Sequence, residues 1–117
     1  MWLLLLALAS PPAQAAQDPG ARAFQRCAAC HSIRADDHDS PAPNLRGVVG
    51  RRAGAVEDFP YSDAMKAAGG RGLVWDAATL ERFLADPEAA VPGTTMPFQG
   101  GSAAERAAVI AWLRRQR

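Results

Sequence analysis

Lysine is nearly missing from this chain: Lys66 is the only one, and the rest of the positive charge is arginine. The 13 basic and 12 acidic residues leave a formal net charge of +1, so composition gives no electrostatic case for nucleic acid. Aromatic residues make up only 7% and alanine is abundant, so a core built from these side chains has little bulk of its own. A large apolar cofactor would supply the missing buried area. No stretch is convincing as a strand, which removes βαβ folds. No apolar run reaches the roughly 20 residues needed to cross a bilayer. Cysteine is limited to Cys27 and Cys30.

What is there suits one globular domain: 117 residues, of which 49% are hydrophobic. The apolar run from Met1 to Ala9 has the length of the central part of a secretory signal, and Ser10, Pro11 and Pro12 end it. Ala13-Gln14-Ala15 supplies the small residues of a signal-peptidase site. Cleavage is expected after Ala15, with Ala16 as the second choice. No Lys or Arg precedes the run, so only the amino terminus supplies positive charge there, or the true start lies upstream. The expected division is a signal at 1–15 and one domain at 16–117.

Cys27-Ala28-Ala29-Cys30-His31 carries the chemistry. The spacing C-x-x-C-H is the attachment site of a c-type haem. Each thiol adds across one vinyl group, and one short helical turn presents both sulfurs to the same porphyrin edge. The imidazole of His31 then lies under the iron. Three rivals stand beside this reading. A thioredoxin-like pair needs βαβ patterning. A zinc site would have to take its other ligands from His31 and His38. A structural disulfide here would close too little chain to stabilise much.

Helix signals punctuate the remainder. Asp18-Pro19 reads as a cap followed by proline at the first helical position. Tyr61 to Ala68 reads as a short helix ending at Gly69-Gly70. Asp76 caps a helix with Leu80, Phe83 and Leu84 on one face, and Asp86-Pro87 starts a turn. Ser102 and Glu105 form a capping box before a helix carrying Val109, Ile110, Trp112 and Leu113. Long loops between short helices fit a compact domain when they pack on a large cofactor.

A second axial ligand is sought among His38, Met65 and Met96. His38 lies too close to His31 in sequence to reach the opposite haem face. Met65 shares helical spacing with Tyr61 and reads as a core gap-filler. Met96 sits in a loop stiffened by Pro92, Gly93 and Pro97 and is the favoured ligand. Thioether ligation favours reduced iron.

From about Asp18 onward the chain resembles the class I c-type cytochromes, a family of small all-α proteins with short helices and long loops around one covalently attached haem c. The resemblance implies the following roles. Pro43, in Pro43-Asn44-Leu45-Arg46-Gly47, accepts the N–H of His31 through its carbonyl. Arg51, after Gly50, lies near a haem propionate, to which Tyr61 and Trp75 donate hydrogen bonds. Phe59 is a wall residue. Thr94, in Pro92-Gly93-Thr94-Thr95-Met96, serves the other propionate, and Phe98 lies beside the ligand methionine. Gly20, Phe24 and Trp112 mark the crossing of the terminal helices. Phe83 stands where many members have tyrosine, and Met65 where many have asparagine. The lysine ring around the haem edge is mostly missing, with Arg26 facing Asp36, Asp37 and Glu88. The implied function is one-electron transfer between redox partner proteins, by a periplasmic monomer that is not an enzyme and has no membrane span once mature. The alternatives are a haem-bearing subunit of a larger dehydrogenase or oxidase, and a ligand-binding or peroxidase-like protein if Met96 dissociates.

Overall fold

Local capping sets the start of each helix. The computed structural model of the chain describes residues 18–117, so the signal and its cleavage after Ala15 or Ala16 lie outside the described residues. Helix α1 is Pro19–Phe24, with Asp18 Oδ1 accepting from the Gly20 N–H at 2.8 Å and the Ala21 N–H at 3.3 Å. Helices α2 to α5 are Asp63–Gly70, Ala77–Ala85, Pro87–Ala90 and Ala103–Arg114. At the start of α5 the capping box is reciprocal: Glu105 N–H to Ser102 Oγ at 3.1 Å, Ser102 N–H to Glu105 Oε1 at 3.2 Å. Asp76 and Thr79 do the same for α3. Among the described residues there is no strand, only an antiparallel bridge between Arg52 and Val74.

Three features differ from expectation. Helix α2 starts at Asp63, not Tyr61, because Ser62 is the cap: its Oγ accepts from the Met65 N–H at 3.1 Å. The helix also runs through Gly69 and Gly70. Gly69 is required by close approach, since a Cβ there would sit 2.0 Å from the Ala53 carbonyl oxygen. Asp86-Pro87, expected as a turn, opens the single-turn helix α4, with Asp86 Oδ1 taking the Ala89 N–H at 3.2 Å.

The ends of the chain meet where α1 crosses α5. Phe24 and Trp112 stack tilted, with ring centroids 4.9 Å apart. The buried core continues through Val109, Ile110 and Leu113 of α5 to Leu80 and Phe83 of α3, Trp75 and Val91. No polar or charged residue is buried among the described residues. Two of the core residues are alanines, Ala53 and Ala68, as the composition suggests.

Candidate cofactor site

The turn after α1 builds the first part of the site. The Cys27 N–H bonds the Phe24 carbonyl at 2.8 Å, and the His31 N–H bonds the Cys27 carbonyl at 2.8 Å. This near-helical path gathers Cys27, Cys30 and His31 on one side. All three line a cavity of about 380 Å³, within the range of cofactor pockets. Its walls are mostly apolar and include Leu45, Val48, Phe59, Leu80, Phe83 and Leu113.

His31 is held by one contact. Its Nδ1 lies 2.7 Å from the Pro43 carbonyl oxygen. A carbonyl has no proton to give, so Nδ1 donates and Nε2 keeps its lone pair free for a metal. Burial pushes the imidazole below its ordinary value, and the Pro43 contact opposes that shift. A neutral ring with Nε2 unprotonated is the ligating form of histidine.

The surroundings of Cys27 are not those of a reactive redox pair. Both are unbridged thiols, and burial pushes Cys27 up from its ordinary value against the opposing effect of Arg26. Reactive pairs instead hold a lowered thiol. The zinc alternative lacks its ligands. His38 is exposed and outside the cavity, and among the described residues no group of three or more His, Cys, Asp and Glu is placed to hold a metal ion.

The other expected residues are mostly brought together. Met96 and Met65 both line the cavity, as do Arg51, Tyr61, Trp75 and Thr94. Gly93 packs against α2, where a Cβ on it would lie 3.3 Å from Ala64 Cβ. The methionine loop therefore rests on the helix that carries Met65. Thr94 Oγ1 accepts from the Met96 N–H at 3.3 Å, and the Tyr61 hydroxyl accepts from the Val56 N–H at 3.0 Å. Both hydroxyls keep their own hydrogen to donate. Trp75 is only 7% exposed, yet its indole N–H has no protein acceptor among the described residues. Arg51 is half-buried, and its desolvation lowers it from its ordinary value, with Tyr61 opposing. Phe98 is not brought in. It is 60% exposed and absent from the lining, and because Pro97 and Gln99 on either side line the cavity, the ring between them turns outward.

Sequence spacing did not reveal the brace behind Pro43. Asn44 Nδ2 donates to the Arg34 carbonyl at 2.6 Å and to the Asp37 carbonyl at 3.0 Å, and Arg46 Nε to the Ile33 carbonyl at 2.8 Å. These groups close the loop between His31 and Pro43. Only the nearby turn residues hinted at it.

The donor set fits a haem: paired thiols, a neutral imidazole, a thioether, an apolar wall and unused N–H and O–H donors. The sequence profile of the family Cytochrome c matches residues 17–117. The chain belongs to the cytochrome c family. As in that family, one haem c attached through Cys27 and Cys30 is its cofactor. It is 45% identical over 86 residues to a cytochrome c2 of Agrobacterium tumefaciens, covering 74% of this chain and 78% of that one. It is 44% identical over 110 residues to a cytochrome c2 of Rhodomicrobium vannielii, covering 92% and 86%. In three dimensions it is similar to cytochrome c2 from Rhodospirillum centenum, with TM-score 0.77 and 33% identity over 85% of this chain and 98% of that one. It is also similar to cytochrome cH from Methylobacterium extorquens, with TM-score 0.72 and 40% identity over 82% and 94%. Its all-α architecture is that of a small cytochrome c.

Proposed function

We propose that this cytochrome is an exported, periplasmic one-electron carrier with His31 and Met96 as axial ligands, cleaved after Ala15 and working as a monomer between redox partner proteins. The observation that carries the ligation is the pairing of His31 Nδ1 with the Pro43 carbonyl at 2.7 Å, in a cavity that Met96 also lines. Bound haem supplies an iron that cycles between ferrous and ferric states.

The chain's own residues do the rest. Pro43 fixes the His31 tautomer and ring plane, which raises the basicity of Nε2. Met96 is preferred over Met65 because its loop is held by Pro92, Pro97 and the Thr94 hydroxyl, whereas Met65 sits in a turn of the short helix α2; both methionines pack against the core. Leu80, Phe83 and Leu113 exclude water, which keeps the polar reorganisation on electron transfer small. Arg51, Tyr61, Trp75 and Thr94 offer donors to the two haem carboxylates. No step calls for a general acid, base or nucleophile, in keeping with a carrier and not an enzyme.

The test is spectroscopic and chemical. Periplasmic extract should contain a coloured protein whose mass equals residues 16–117 plus one haem. Acid–acetone should leave the colour with the protein, and carbon monoxide at neutral pH should not alter the reduced spectrum. Extractable colour would defeat covalent attachment, and ready carbon monoxide binding would defeat Met96 ligation.

A further inference from the structure

Arg51 has an unusual set of partners for a half-buried guanidinium. Among the described residues it forms no ion pair with a carboxylate. It donates instead to two main-chain carbonyls, Nη1 to Asn44 at 2.7 Å and Nη2 to Arg46 at 2.5 Å. Asn44 directly follows Pro43, the residue whose carbonyl holds His31. The backbone of Arg51 is itself anchored, its carbonyl accepting from the Trp75 N–H at 2.9 Å and its N–H donating to Val48 at 3.0 Å.

The segment from Ala42 to Arg46 is therefore held from two sides. On one side Ala42 N–H bonds the Cys30 carbonyl at 3.0 Å and Leu45 N–H the Ser32 carbonyl at 2.9 Å. On the other side stands the Arg51 fork. Hydrogen bonds from a charged donor are roughly twice as strong as neutral ones, and two from one planar group also fix an angle. Pro43 has no N–H of its own, so its peptide orientation depends on its neighbours.

We propose that Arg51 is a positioning residue for the His31 ring: its fork fixes the Asn44 and Arg46 peptides so that the Pro43 carbonyl stays aimed at Nδ1. The consequence for function rests on His31 being an axial ligand. The role is separate from any effect of the Arg51 charge on the haem carboxylates, because lysine keeps that charge but has one nitrogen in place of the planar fork that fixes two carbonyls at a set angle.

The test uses the holoprotein and the solvent exchange of the His31 Nδ1–H, followed by NMR in wild type, Arg51→Lys and Arg51→Gln. The expected result is exchange faster by on the order of tenfold in both variants, the loss of about one net hydrogen bond. The amides of Val109 and Leu113 should keep their wild-type rates. Unchanged exchange in Arg51→Lys would overturn the proposal, as would equal acceleration at Val109 and Leu113, which would mean general loosening. If Arg51→Gln does not mature, Arg51→Lys alone decides. A His31 Nδ1–H without hyperfine shift in the oxidised protein would instead refute axial ligation, and the exchange rates would still report on the fork.

Discussion

Gly20 and Trp112 touch so closely that a Cβ on Gly20 would lie 2.3 Å from Trp112 Cβ and 2.4 Å from the Ala108 carbonyl oxygen. The crossing of α1 and α5 therefore admits no side chain at this point. Since α1 leads directly into Cys27, the crossing also positions the haem attachment turn.

Three glycine-to-alanine changes should separate close packing from helix propensity. Gly20→Ala and Gly69→Ala should each destabilise by about 1–3 kcal/mol or more, the range for overpacking a filled site. Gly70→Ala, in the same helix as Gly69 but with nothing within 4 Å of its Cβ position, should be neutral or stabilise by up to about 1 kcal/mol. Denaturant midpoints of the three holoproteins decide the matter. A Gly20→Ala variant as stable as wild type would contradict the crossing geometry.

The two cavity methionines should part company. Met96→Ala should lower the reduction potential, admit external ligands and abolish the weak far-red sulfur–iron band, because a neutral, soft donor to ferrous iron is lost. Met65→Ala should keep the band. The reverse pattern would reassign the ligand to Met65.

Acid stability should depend on the helix caps. Asp76 is held below its ordinary value of 3.8, first by the Thr79 N–H and then by its hydroxyl. Glu105 is held below 4.5, first by the Ser102 N–H, with Arg26 adding to it. A carboxylate lowered on folding contributes stability that is complete above its unfolded value and lost as pH falls through its folded value. Wild type should therefore lose stability below about pH 4. Asp76→Asn with Glu105→Gln, which keep capping ability, should flatten that limb. An unchanged acid limb in the double variant would show that other groups control it.

Charge at the haem edge should steer partners only weakly. Arg26 is joined to Glu105 at 2.8 Å and Arg106 to Glu81 at 2.8 Å. Charges paired in this way cancel beyond about 8–10 Å at physiological salt. The bimolecular rate with a redox partner should fall only mildly as ionic strength rises. Docking would rest on apolar contact at Ala28, Ala29 and the exposed Phe98. A steep fall with salt, abolished by Arg26→Glu, would point to an assembled basic patch.

The sequence by itself determined most of what depends on residues a few positions apart, though not the Ser62 cap of α2 or the helix that Asp86 opens. C-x-x-C-H names its cofactor because one turn presents two thiols and an imidazole together. Asp18-Pro19, Asp76 and Ser102/Glu105 start their helices because a cap bonds N–H groups two or three residues on. Tertiary structure decided the contacts between distant segments. Arg26, which faces Asp36, Asp37 and Glu88 in the sequence reading, pairs with Glu105 on α5, while Asp36 has Arg34 3.7 Å away. Gly69 stays inside its helix because the Ala53 backbone passes over it, and Phe98 turns outward between Pro97 and Gln99. Arg51 braces Asn44 and Arg46 through their main-chain carbonyls. Every residue carries such a carbonyl, so no side-chain pattern can mark which of them a distant guanidinium will find; only the packed chain brings them within reach.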